Sequence, residues 1–252
     1  MLGWSINLFR IRGIQLAVHG SFFLLLAWVA NEGWKESGLP GLLVSTAALL
    51  LFFCCVVLHE LGHSFTARHY GIGVSRILLM PIGGMAEFDA IPREPRRELL
   101  ITAAGPAVNF VIAGLIWIFC PADPATETAA LIAGFAVLVM KGNLAMGCFN
   151  LLPAFPMDGG RILRASLATR MPYLQATRWA ANIGKVVCIL GIAISLWVHW
   201  WLTAILFAFI AFSGDAEYRA VRRRELEDAR WREMLARAYA APAREEPPLL
   251  SP

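Results

Sequence analysis

The chain has 252 residues, 58% of them hydrophobic, and a mean hydropathy of +0.60. An ordinary soluble domain is about 45–50% apolar, so this composition excludes a water-soluble globular protein and points to a lipid bilayer as solvent. The net charge of +4 does not indicate a nucleic-acid partner, because the basic residues sit between the apolar runs and after the last one, where membrane topology places them.

Arg10 and Arg12 precede the first apolar stretch, about Ile14 to Ala30. Ala27 and Ala30 make no A-x-A cleavage site, so a retained first helix is expected rather than a signal peptide. A second span begins near Leu42, runs without charge through Leu58 and continues in helical pattern through His59–Tyr70. Gly71 to Pro92 follows, where Ile77, Leu78 and Leu79 lead to Pro81, Gly83 and Gly84; this reads as a short strand or hairpin. The third span is about Leu99 to Cys120 and the fourth about Ala129 to Leu152, the latter carrying Lys141, Asn143 and Asn150. Ile183 to Phe212 is too long for one crossing, about 45 Å as a helix against about 30 Å of hydrocarbon. A hairpin near His199 would divide it, although no Gly or Pro stands there to make the turn.

Charge resolves the count. Segments with Arg10 and Arg12, Arg68 to Arg97, Arg161 to Arg178 and Arg219 to Arg230 belong in the cytoplasm. Those around Lys35, Asp123–Glu127 and His199 are poor in Arg and Lys and belong outside. The expected fold class is therefore an all-α polytopic membrane protein of six transmembrane helices, with a short β-hairpin or strand between helices 2 and 3. Both termini would be cytoplasmic and the host would be the cell (inner) membrane. Residues 1–215 form the membrane domain; residues 216–252 are expected as a cytoplasmic charged helix, then a Pro-rich disordered tail over Pro242 to Pro252. The five cysteines, Cys54, Cys55, Cys120, Cys148 and Cys188, form no disulfide framework or CxxC pair and read as buried, inert thiols. Nothing in the sequence marks an oligomeric state.

The chemistry lies in His59-Glu60-Leu61-Gly62-His63, an H-E-x-x-H motif. Residues four apart share a helix face, so both imidazoles can reach one Zn²⁺, while Glu60 beside them can accept a proton from the attacking water without ligating the metal. Three ionisable groups joined to a long apolar run are costly in a membrane unless they have a function. A catalytic zinc site needs a third protein ligand. The candidate is Asp158, in the stretch Asn150 to Gly160, which the charge pattern brings to the same membrane face as His59 and His63. Pro153 and Pro156 break the helix there, and such backbone at membrane depth implies a protein-covered or water-filled cavity. An N-cap for the helix that follows is the other role open to Asp158. Asn109 and Asn143 are expected as structural links between helices, Lys141 as a partner of a buried carboxylate or of the water cavity. His19, His69 and His199 are expected at interfaces, and Trp197, Trp200 and Trp201 in an interfacial belt or a substrate gate.

At these residues the sequence closely resembles the site-2 protease family of intramembrane metalloproteases. The likeness rests on His59–His63, on the N-x-x-P-x-x-P-x-D-G pattern of Asn150 to Gly159, on Gly105-Pro106-Ala107-Val108-Asn109 and on Pro81-Ile82-Gly83-Gly84. It implies that His59, His63 and Asp158 ligate zinc, that Glu60 is the general base and acid, and that Asn150 holds the substrate or the oxyanion. It further implies that Gly83 and Gly84 belong to an edge strand that binds a transmembrane protein substrate in extended form. Many relatives carry PDZ or nucleotide-binding domains, for which these residues show no counterpart. Two other readings stay open on the sequence. Membrane proteases of the prenyl-protein class take a glutamate as third ligand, here Glu217, Glu225 or Glu227; a carrier or silent helper would use similar broken helices without hydrolysis.

Overall fold

The structure is a computed structural model of the chain, and it describes residues 4–89, 92–120 and 126–240. The expected Pro-rich tail lies outside the described residues. The elements run β1 (Ser5–Ile11), β2 (Ile14–His19), α1 (Ser21–His69), β3 (Val74–Met80), β4 (Gly83–Phe88), α2 (Pro95–Phe119), α3 (Glu127–Asn150), α4 (Asp158–Ala168), α5 (Tyr173–Trp197) and α6 (Trp201–Ala240).

The first expected span is corrected at its start: residues 14–19 are strand, and the helix begins only at Ser21. Ser5–Ile11 and Ile14–His19 pair as an antiparallel hairpin around Arg12 and Gly13, both at positive φ. Two consecutive left-handed residues give the turn whose twist matches that of the strands. The sheet order is β1-β2-β3-β4, with β2–β3 parallel and β3–β4 antiparallel. The hairpin expected between the second and third spans is therefore present, but as half of a four-stranded sheet. β3 is buried through Ile77, Leu78 and Leu79, which accounts for its continuous apolar run. One core joins Ile14, Leu16, Phe53, Val56, Ile77 and Leu79, so the sheet packs on α1.

α1 is not one rod. Ser37 and Gly38 leave helical geometry, Gly38 at φ +65°, and Pro40 restarts the helix. A straight helix would hold Val29 and Ser45 about 24 Å apart. Instead Ser45 Oγ donates to the Val29 carbonyl at 3.2 Å, and the rings of Phe22 and Phe53 meet with centroids 4.7 Å apart. Residues 21–36 and 39–69 therefore form an antiparallel helical hairpin. The division near His199 is also present: α5 ends at Trp197, His199 takes φ +59°, and α6 begins at Trp201. A histidine occupies the left-handed position that glycine would usually take, which is why the turn left no Gly or Pro signal.

Four helices, α1, α2, α3 and α5, are long and apolar enough to cross a membrane, rather than the six expected. The difference lies in α1, which holds two antiparallel limbs, and in α6, whose apolar part gives way to Asp215 and the charged residues beyond. α6 runs unbroken through that change, and Arg93 pairs with Asp228 at 2.8 Å, tying its charged half to the segment before α2. All five cysteines are free; Cys55 and Cys188 are buried as expected, whereas Cys54 and Cys148 are exposed on helix faces.

Candidate metal centre

His59 and His63 sit on the second limb of α1, Asp158 at the first position of α4. The His59 and His63 Nε2 atoms are 3.1 Å apart, and Asp158 Oδ2 lies 3.3 and 3.2 Å from them. This is the one group of three or more potential metal-ligating side chains among the described residues. Asp158 does not cap α4: the N-cap is Met157, without a side-chain cap bond. Leu151–Met157 turns sharply between α3 and α4 and delivers the carboxylate to the imidazoles.

Hydrogen bonds behind the rings fix which nitrogens face inward. Asn143 Nδ2 donates to the Val139 carbonyl at 2.9 Å, and a carbonyl can only accept. The Asn143 Oδ1 therefore accepts from Asn109 Nδ2 at 2.8 Å, which turns Asn109 Oδ1 toward His59 Nδ1 at 2.5 Å. His59 thus carries its proton on Nδ1. His63 Nδ1 likewise donates to the Ile101 carbonyl at 2.7 Å. Both Nε2 atoms are left with lone pairs pointing at each other and at a carboxylate oxygen that is buried without a hydrogen-bond donor. Three electron-rich atoms so placed repel unless a cation lies among them. Ligands about 2.0–2.1 Å from a tetrahedral zinc stand about 3.3 Å apart, so the spacing of these donors suits that ion.

Glycine makes the room. A Cβ at Gly105 of α2 would overlap the His63 ring and lie 2.8 Å from His59 Cε1. At Gly84 of β4 it would lie 2.6 Å from Glu60 Cγ. Strand β4 therefore runs directly against Glu60. It is a terminal strand of the sheet, so among the described residues no strand pairs with the side turned away from β3. Outside the helices, Arg76 of β3 bridges Glu87 of β4 at 2.7 Å and holds that carboxyl below its ordinary range.

Not every expected residue joins the cluster. Asn150 ends α3 half-buried, with no side-chain hydrogen bond among the described residues. Glu217, offered as an alternative ligand, instead accepts from Arg164 Nη1 at 2.6 Å. Lys141 neither meets a buried carboxylate nor turns to the site; it is exposed on α3. His19 bonds through Nδ1 with Ser21 Oγ at 2.7 Å, and Trp197, Trp200 and Trp201 cluster exposed at the α5–α6 turn. Asn109 and Asn143 do link helices α2 and α3, as expected, but the contact of Asn109 with His59 and the buried pair Glu98–Arg164 were not anticipated. Gly105-Pro106-Ala107-Val108-Asn109 was the available signal for the first.

The sequence profile of peptidase family M50 matches residues 47–123 and 122–191. A zinc metalloprotease of Methanocaldococcus jannaschii, MJ0392, is 39% identical over 87% of this chain and 62% of its own length. The putative zinc metalloprotease Rip3 of Mycobacterium tuberculosis is 30% identical over 76% of this chain and 51% of its own. Stage IV sporulation protein FB of Bacillus subtilis is 29% identical over 74% and 64% respectively. The chain thus spans between half and two-thirds of the length of these curated relatives. The solved structure of the site-2 protease from Methanocaldococcus jannaschii superposes with a TM-score of 0.61 at 36% identity, covering 85% of this chain and 95% of that one. The chain therefore belongs to peptidase family M50, the site-2 protease family of zinc metalloproteases.

Proposed function

We propose that this chain is an integral membrane zinc metallopeptidase that hydrolyses peptide bonds within or beside transmembrane segments of other proteins. The observation that carries this reading is the juxtaposition of three metal donors, a carboxylate and a terminal strand: His59, His63 and Asp158 within 4.8 Å of one another, with Glu60 beneath β4.

His59, His63 and Asp158 hold the zinc. When bound, zinc supplies Lewis acidity, which makes water acidic near neutral pH and stabilises charge developing on a carbonyl oxygen. Glu60, adjacent in sequence but not part of the donor triangle, takes the proton from the attacking water and passes it to the leaving amine. Asn150, at the end of α3, steadies the substrate or contributes a donor to the developing oxyanion. A transmembrane helix hides its own amides. Paired as an extra strand on β4 at Gly83 and Gly84, a substrate segment is held extended and its carbonyls are presented.

The helical limbs 21–36 and 39–69, with α2, α3, α5 and the apolar start of α6, provide six crossings when each is counted separately. With the charge pattern, six crossings put both termini and the active-site end in the cytoplasm of a cell membrane, where cut fragments would be released. Such an enzyme serves regulated release of membrane-tethered proteins or clearance of signal-peptide remnants. Residues 1–215 would be the catalytic domain and residues 216–252 a cytoplasmic extension.

The test uses purified protein in detergent and a model transmembrane substrate. Wild type should cut it, and Glu60→Gln should leave it whole while holding as much zinc. Equal cleavage by the two would overturn the assignment of Glu60, and no cleavage by zinc-replete wild type across substrates would favour a silent helper.

A further inference from the structure

Lys141 stands where a cation is least expected. Asn143, two residues on, donates through Nδ2 to Cys55 Sγ at 3.2 Å, and a Cβ on Gly142 would meet Phe52 at 3.7 Å. These contacts set the depth of Lys141 against the second limb of α1. Phe52 lies near the middle of Leu42 to Leu58, the uncharged stretch of that limb, so Lys141 lies at the depth of the hydrocarbon rather than at an interface. Two residues correspond to about 200° around a helix, so Lys141 faces away from buried Asn143. It is exposed and has no ion pair among the described residues, alongside exposed Leu131 and Leu138 on the same outward stripe. α3 is also the spanning helix least covered by the rest of the molecule: 6% of its apolar window is buried, against 33% for α2. A charge on a lipid-facing helix at that depth is retained only when it is paired or put to use.

We propose that this face of α3 is the docking surface for a transmembrane helix of another protein, one carrying an Asp or Glu near its midpoint to pair with Lys141. Charge selects this occupant over a second copy of the chain. Two copies meeting through α3 would oppose lysine to lysine. The described carboxylates of the apolar helical segments cannot supply the partner: Glu60 and Asp158 belong to the metal centre, Glu98 and Glu217 are engaged by Arg164, Asp215 pairs with Lys185 at 2.5 Å, and Glu32, Glu36 and Glu127 lie at the ends of their helical limbs. The small residues Gly134 and Ala145 on the same side let a helix backbone approach closely.

The experiment reconstitutes the full chain, donor-labelled at its N-terminus, in phosphatidylcholine vesicles with acceptor-labelled Leu/Ala peptides of about 23 residues. The peptides differ only at the central position, which is Glu, Leu or Lys. Energy transfer should show the Glu peptide associating about tenfold more tightly than the Leu peptide. Lys141→Leu should erase that preference, and Lys141→Glu should transfer it to the Lys peptide. Equal binding of the Glu and Leu peptides would overturn the proposal, as would a preference that survives Lys141→Leu. Association of two copies of the chain that depends on Lys141 would overturn it by making the second copy the occupant.

Discussion

Asn109 Oδ1 lies 2.5 Å from His59 Nδ1, and this contact decides which nitrogen of His59 faces the metal centre. The orientation of Asn109 is itself set by Asn143, whose amide is anchored on the Val139 carbonyl. Three helices, α1, α2 and α3, are thereby joined in one buried polar chain that ends on Nδ1 of His59, on the side of the ring opposite the nitrogen that faces the metal centre.

Removing that support should weaken zinc without removing a ligand. Asn109→Ala frees the His59 ring to rotate and to change tautomer, and zinc affinity should fall about 10–100-fold by chelator competition. Asn143→Ala, one step further back, should shift affinity in the same direction and less. Unchanged affinity in Asn109→Ala would mean that packing alone orients the ring.

Zinc content separates ligand from base. Purified wild type should hold about one zinc per chain, and Asp158→Ala, left with two imidazoles, should lose most of it. Glu60→Gln should keep it, because Glu60 stands outside the donor triangle. Glu217→Gln should keep it as well, since the Glu217 carboxylate is engaged by Arg164 rather than by the histidines. Loss of zinc in Glu217→Gln with retention in Asp158→Ala would restore the alternative third ligand.

The motif residues were legible because their chemistry is local. H-E-x-x-H places two imidazoles on one face by helix period alone, and Asp158 follows a Pro-broken turn that no continuing helix would tolerate. The sheet was legible only in half. Ile77-Leu78-Leu79 before Pro81 and Gly83 announced a hairpin, whereas Ile14 to His19 was absorbed into an apolar window that ran on into α1 without a break in hydropathy. The strand signal there was Gly13 in a tight turn, and the pairing of β2 with β3 is a long-range event that no window contains. The span count was obscured for a related reason. Ser37-Gly38-Leu39-Pro40 marks the α1 reversal, but the His199 turn carries no such residues, and only the length of the apolar run and the alternation of basic segments pointed to it.

Gly84 should be intolerant of a side chain for a reason separate from zinc. A Cβ there would press on Glu60 Cγ and on Val56 Cγ1, 3.1 Å away. Gly84→Val must displace Glu60 or push β4 outward. Because positioned proton transfer contributes about 10²–10⁴ in rate, turnover should drop by at least about tenfold while zinc content is unchanged. Gly114→Ala is the control: a Cβ there meets nothing within 4 Å, and turnover should stay as in the parent. If both variants behaved alike, close contact between β4 and Glu60 would not matter to the reaction.

Arg164 should matter to stability, and through α4 to the metal. Its guanidinium is fully buried; Nε and Nη2 donate to Glu98 Oε1 of α2 at 2.9 and 2.5 Å, and Nη1 donates to Glu217 of α6. Phe155 and Tyr173 add their ring faces, with centroids 5.1 and 5.0 Å from the guanidinium carbon. Arg164→Leu leaves the Glu98 carboxylate buried without a cation, a loss of about 3–5 kcal/mol and a clearly lower unfolding temperature in detergent. Replacing Glu98 and Arg164 together by leucine removes the uncompensated charge and should recover much of that loss. α4 carries Asp158 at its start, six residues before Arg164, so the single variant should also bind zinc more weakly than the double one. Equal zinc affinity in the two would show that the Leu151–Met157 turn, rather than the Arg164 anchor, holds Asp158 against the histidines.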